Sequence, residues 1–113
     1  MSPATRKRGT FRDRAIRFAA LGDDTRLSLV HRLSRESPLS ISSLTAGSDV
    51  TRQAITKHLR VLEDAGLVRA SRAGRESLYS LDAKSVERAR IDLDEISRQW
   101  DSALLRLKAH VEK

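Results

Sequence analysis

The stretch TRQAITKHLRVLEDAGLV, residues 51–68, decides the fold. Ile55, Leu59 and Leu62 recur at i, i+4 and i+7, which puts them on one face of an α-helix. Thr51 or Asp49 can cap its start, and Gly66 stops it. A helix is therefore predicted over residues 51–65. On another face stand Gln53, Thr56, Lys57 and Arg60, at i, i+3, i+4 and i+7. These are not the Glu/Lys pairs of an ordinary solvated helix. Gln pairs with the edge of adenine, Arg and Lys reach guanine acceptors, and Thr offers a hydroxyl and a methyl. Arg52 lies near the N-terminal end, where recognition helices meet base edges, and Thr51 with the first amides suits a phosphate oxygen. His58 sits between the two faces, with phosphate contact and half-buried packing both open. Taken alone, the helix reads equally well as a basic surface helix in a protein that never meets DNA.

The following residues tilt that balance. After Gly66 the apolar period changes from helical to alternating. LVRASR, then Ala73-Gly74, then RESLYSL read as a β-hairpin over residues 67–81. Arg69, Arg72 and Arg75 crowd it, although a plain surface hairpin needs no arginines around its turn. As a wing beside a recognition helix, it would bring Arg72 and Arg75 to flanking phosphates or the minor groove. Upstream, SISSLTAG carries Ile41 and Leu44 three apart, a short packed helix closed by Gly47. A short helix, a tight turn and a second helix with a donor-rich face form a helix-turn-helix. The major groove, about 12 Å wide, admits one such helix.

Working outward, Phe11, Ala15, Phe18, Ala19 and Leu21 give a first amphipathic helix over Thr10–Leu21, stopped by Gly22. Asp23 or Asp24 caps a second, with Leu27, Leu29, Val30 and Leu33 as its apolar face. His31 falls in this core helix and reads as structural. Ser37-Pro38 ends it. Asp82 caps a long last helix from about Ala83 to His110, where His110 reads as solvated. Val86, Leu93, Ile96, Trp100, Leu104, Leu107 and Val111 recur along it at 7, 3, 4, 4, 3 and 4, a heptad stripe. Residues 1–9, with Arg6, Lys7 and Arg8, read as a disordered basic arm, and 10–113 as one domain. The expected fold class is mainly α with a small β-hairpin: a winged helix-turn-helix of about five helices plus the wing.

The chain has 113 residues, 39% of them hydrophobic, enough for one small core that gains from dimerisation. Twenty-two basic against 15 acidic residues give a net charge of +7, which favours polyanions without choosing among DNA, RNA and anionic membrane. No run approaches transmembrane length, and MSPATRKRGTF has no apolar stretch behind its charges, so neither membrane insertion nor a secretory signal is expected. Cysteine is absent, which removes thiolate chemistry and fits a reducing compartment such as a bacterial-type cytoplasm, on the nucleoid. There is no cysteine nucleophile, no phosphate-cradling glycine loop, and no histidine spaced suggestively with a carboxylate and a serine, so an enzyme is not expected.

The sequence resembles the ArsR/SmtB-type winged-helix repressors. FAALGDDTRLSLVHRL is similar to that family's opening, in which an Asp-x-Thr-Arg step starts the second helix. Asp23, Asp24, Thr25 and Arg26 stand there, with Asp24 where the family usually has proline. VTRQAITKHLRVLEDAGLVRASRAGRESLYSL matches its recognition helix and wing, including the His-Leu-x-x-Leu-x-x-Ala-Gly-Leu-Val segment from His58 to Val68. The match covers roughly residues 11–82 well and the last helix loosely. The resemblance implies a homodimer, built from the first and last helices, that represses transcription at an operator of two half-sites. Independently, the stripe of Phe11, Ala15 and Phe18 and that of Leu93, Ile96, Trp100, Leu104 and Leu107 exceed what one small domain must cover. The alternative is a last helix folded back on its own domain.

Many relatives release DNA on binding a metal, one of their sites being a Cys-x-Cys before the recognition helix. Ser40-Ile41-Ser42 stands in its place here, and hydroxyls do not replace soft thiolates. A second family site uses Asp and His pairs on the last helix. Asp92, Asp94, Asp101, His110 and Glu112 are available, but the one histidine lies at the far end, and Asp92, Asp94 and Glu95 read as a solvated acidic patch. The chain thus resembles the branch without metal ligands. Neither a metal nor a cofactor is expected, and nothing in the sequence names an inducer. Two readings compete with the specific repressor. A non-specific architectural DNA-binding protein would leave Gln53 and Thr56 unused, and a protein–protein adaptor would have a less basic recognition face.

Overall fold

Side-chain caps set most helix starts in this chain, whose computed structural model describes residues 10–112. The basic arm expected over 1–9 lies outside the described residues. Thr10 accepts the Asp13 amide at 3.1 Å and opens α1 (Phe11–Leu21). Asp23, of the two candidates, accepts the Arg26 amide at 3.0 Å and opens α2 (Asp24–Arg35). Ser40 caps α3 (Ile41–Ala46), and Thr51 rather than Asp49 caps α4 (Arg52–Asp64), accepting the Ala54 amide at 3.2 Å. Asp82 caps α5 (Ala83–Val111), 29 residues long. Each cap satisfies an amide that has no partner within its helix. Thr51→Ala should therefore lower stability by about 1 kcal/mol. A urea midpoint unmoved by that substitution would mean that the first amides of α4 are equally well solvated.

The hairpin is β2 (Val68–Ala73) and β3 (Glu76–Leu81), antiparallel with Val68 opposite Leu81 and Ala73 opposite Glu76. Its turn is Gly74-Arg75, one residue later than expected, and Gly74 takes φ +64°, a conformation glycine adopts without steric cost. The sheet has a strand more than the sequence reading anticipated. β1 (Leu39–Ser40) pairs antiparallel with β3, giving the order β1-β3-β2. Two residues carry no readable alternation; the buried Leu39 side chain and the free edge of β3 select the pairing.

The core lies where α2, α3, α4 and the sheet meet. Leu29, Leu33, Leu44, Ile55, Leu59, Leu62, Leu67, Val68 and Tyr79 are buried in it. Ile55, Leu59 and Leu62 face inward as their spacing requires. Two expectations for α2 need correction. Leu27 is 54% exposed, because α2 turns Leu29 and Leu33, with Val30 beside them, toward the core, and His31 is exposed rather than structural. On α1 the inward residues are Arg17 and Ala20, while Phe11, Ala15 and Ala19 are exposed. α5 buries Ser85, Ala89 and Asp92 in its first half and leaves Trp100, Leu104, Leu105, Leu107 and Val111 exposed beyond.

Candidate nucleic-acid interface

The cap at Thr51 fixes the phase of α4. With Ile55, Leu59 and Leu62 turned inward, Arg52, Gln53, Lys57 and Arg60 are exposed and Thr56 is half-buried. These five side chains line one shallow, open depression along the helix. Four of the five can donate to base edges or phosphates, and no carboxylate interrupts them. Arg52 is partly committed, since it donates to the Ser42 hydroxyl at 3.0 Å and ties α4 to α3. Thr56 donates its proton to the Arg52 carbonyl at 2.9 Å, which leaves its hydroxyl oxygen to accept and its methyl to pack.

His58 is placed differently. It is half-buried, with Nδ1 3.3 Å from the Arg26 guanidinium and 3.8 Å from the Asp23 carboxylate. Arg26 in turn donates to the Ala20 carbonyl at 2.7 Å. The Arg26 backbone amide bonded to Asp23 is the main cause that holds that carboxyl below its usual value; slight desolvation opposes it. Of the two readings left open for His58, the structure favours packing: it links α4 to the α1–α2 corner and does not line the depression.

The wing is tied to the end of α4. The Leu67 amide donates to the Leu62 carbonyl at 2.9 Å, and the Asp82 amide to the Leu67 carbonyl at 2.9 Å. Gly66, at φ +77°, makes the bend between helix and strand. Arg72 and Arg75, before and within the turn, are both exposed. Arg69 is also exposed but stands 3.5 Å from Asp82, at the base of the wing rather than its tip.

The residues expected at a subunit interface divide in two. Phe11, 84% exposed, Ala15, Leu93, Trp100, Leu104 and Leu107 are open, whereas Phe18 and Ile96 are half-buried. The Arg14 guanidinium lies over the Phe11 ring at 5.1 Å. Ile16 and Leu105, which the stripes did not include, are exposed as well.

The acidic patch expected on the last helix is corrected in part. Asp94 and Glu95 are exposed, but Asp92 is 1% exposed and lies between α1 and α5. Arg17 reaches its Oδ2 at 2.8 Å, Arg14 its Oδ1 at 3.2 Å, and Arg88 the same oxygen at 3.9 Å. A carboxylate takes this position because three guanidiniums offset its desolvation. Ser85, Ala89 and Asp92 follow helical spacing and Arg14 and Arg17 sit three apart on α1, but spacing alone does not say that these two faces meet. Among the described residues no three His, Asp or Glu side chains converge as a metal site would require.

Comparison with known proteins agrees with this geometry. A helix-turn-helix domain model matches residues 21–70. The HTH-type transcriptional regulator Rv2034 of Mycobacterium tuberculosis is 38% identical over 95 residues, covering 84% of this chain and 85% of its own. The HTH-type transcriptional repressor SmtB of the same species is 33% identical over 85 residues, covering 75% of this chain and 61% of its own. Among solved structures, an ArsR-like transcriptional regulator from Rhodococcus sp. RHA1 superposes with a TM-score of 0.73 at 38% identity, over 88% of this chain and 93% of that one. All three are transcriptional regulators and none is an enzyme.

Proposed function

The chain belongs to the ArsR/SmtB family of helix-turn-helix transcriptional regulators, and on that premise we propose that it acts as a dimeric, sequence-specific repressor, with α4 in the major groove and the β2–β3 hairpin as its wing. The observation that carries the reading is the outer face of α4. Gln53, Thr56, Lys57 and Arg60 share one polar face that no carboxylate interrupts, held in phase by a buried apolar face behind it. In this reading Gln53, Thr56, Lys57 and Arg60 read bases, Thr51 and Arg52 hold phosphates at the helix start, and Arg72 and Arg75 grip the flanking backbone. His58 acts from behind, setting the angle of α4 through Arg26 and Asp23.

The dimer places two such helices on successive turns of the duplex. Its proposed surfaces are α1 and the second half of α5, where apolar side chains stand unpartnered. The repressor role is read from occupancy of an operator and from the family, whose SmtB relative bears the name repressor.

The test compares substitutions on operator and random DNA by fluorescence anisotropy. Gln53→Ala or Lys57→Ala should weaken operator binding by about 1–3 kcal/mol and relax base preference. Arg72→Ala should weaken all DNA about equally and flatten the salt dependence. If Gln53→Ala and Arg72→Ala lower specific and random binding alike, base readout by α4 fails and an architectural role takes its place.

A further inference from the structure

Arg52 opens α4, and its side chain does not swing freely. Its Nη1 donates to the hydroxyl of Ser42, the second residue of α3, at 3.0 Å. The two residues stand 10 apart in sequence, and both are exposed. No carboxylate pairs with Arg52 among the described residues, so its charge is not neutralised. An arginine held by a hydroxyl differs from one held by a carboxylate. A carboxylate fixes the side chain but cancels its charge and competes with phosphate. A neutral hydroxyl fixes it and leaves four of its five N–H donors for another acceptor.

Such a hold works only if Ser42 is itself fixed. Six residues are too few for a helix that stands alone, so α3 depends on its surroundings. Leu44 plugs it into the core at 0% exposure, and the Ser40 hydroxyl caps its start. Arg32 of α2 closes the other end. Its two terminal nitrogens donate to the Leu44 carbonyl at 3.1 Å and to the Ser43 carbonyl at 2.9 Å. Room for that guanidinium exists because residue 47 is glycine: a Cβ there would lie 2.6 Å from Arg32 Nη1. The path from the core to the Arg52 guanidinium thus runs through Arg32, α3 and Ser42.

We propose that Ser42 is a positioning residue for DNA binding, which holds Arg52 in advance as a phosphate-gripping group at the start of α4. The proposal rests on the reading that α4 faces DNA, and extends it to a residue outside that helix. Ordering a long side chain on binding costs about 2- to 10-fold in affinity, and an arginine already held avoids part of that cost. Phosphate contact carries no sequence information, so the gain applies to every duplex alike.

The test therefore uses the full chain and a labelled random-sequence duplex, by anisotropy at about 50 mM salt, where phosphate contacts dominate. Arg52→Ala should weaken binding and lower the slope of log affinity against log salt by about 0.9 for each chain bound. Ser42→Ala should weaken binding about threefold or more. In an Arg52→Ala background the same substitution should have no further effect. Ser42→Thr, which keeps a hydroxyl there, should recover the affinity that Ser42→Ala loses. Both side chains are exposed, and circular dichroism checks that the variants fold. If Ser42→Ala costs as much without Arg52 as with it, Ser42 acts through α3 alone and the proposal falls. Affinity unchanged or raised by Ser42→Ala in the presence of Arg52 overturns it as well, since the bond would then hold the guanidinium idle or away from DNA. An unaltered salt slope in Arg52→Ala removes the phosphate contact and the proposal with it. Failure of the repressor reading looks different: operator and random DNA would bind alike while the coupling of Ser42 to Arg52 persisted. A parent protein that binds neither DNA overturns both.

Discussion

Asp92→Ala is expected to lower the unfolding free energy by about 3–5 kcal/mol. A domain of this size is stable by about 5–15 kcal/mol, so the loss takes a large share of the total. The reason is what the substitution leaves behind. Asp92 receives the buried Arg17 at 2.8 Å and the half-buried Arg14 at 3.2 Å. Neither guanidinium can become neutral, and Arg17 is only 5% exposed where α1 meets α5. Arg14 retains the longer contact to Glu95, at 3.7 Å, and its place over the Phe11 ring. Asp94→Ala is the control. It breaks a 2.6 Å pair with Arg98 on the same helix, but both side chains are exposed, and the expected cost is about 0.3–0.5 kcal/mol. Urea unfolding followed by circular dichroism compares the two at one protein concentration, since association would contribute to the apparent stability. If Asp92→Ala costs no more than Asp94→Ala, the two arginines reach solvent and the cluster does not hold α1 to α5.

The Asp92 cluster marks a boundary of what the sequence could reveal. Elements whose signals are local were legible. Ile55, Leu59 and Leu62 gave α4, Thr51 or Asp49 its start, Gly66 its stop, and the alternation after Gly66 the wing. The resemblance to the ArsR/SmtB family rested on the same residues, and the relatives agree with it. Features that depend on which distant element lies opposite were not. Asp92, Asp94 and Glu95 are near neighbours in sequence, and nothing in that triplet says that one faces α1 while the others face water. β1 is two residues long and exists only because β3 offers it an edge. Leu27 and Leu29 are equally apolar, yet the phase of α2, fixed by its Asp23 cap, buries one and exposes the other. Of the candidate site, the outward set on α4 could be read from helical spacing, whereas the link from His58 to Arg26 and Asp23 joins residues 32 apart and could not.

The largest functional effect is expected from Leu104→Asp, which should give a monomer and reduce operator affinity by about a hundredfold or more. α5 is about 43 Å long at 1.5 Å per residue, and its first half alone packs on α1. Past Ile96, the second half holds Trp100 66% exposed and Leu104 53% exposed, with Leu105, Leu107 and Val111 also open. Burying one such side chain is worth about 1.5–3 kcal/mol, so a second copy laid along this stripe would recover most of what it leaves in water. Two-fold symmetry brings the same surface of each chain together, so a single substitution acts twice in the interface and sets its new carboxylate in an apolar seam. A monomer then meets each half-site independently and loses the effective concentration that linkage supplies. Trp100→Ala, which removes contact area without adding charge, should weaken the dimer less. Light scattering gives the mass and anisotropy the affinity, with circular dichroism checking that the helices persist. A Leu104→Asp protein that remains dimeric would place the interface elsewhere, with the exposed Phe11 and Ile16 of α1 the next surface to test. A monomer that held its operator as tightly as the parent would instead sink the two-half-site reading, since α4 and the wing of one chain would then account for the whole of recognition.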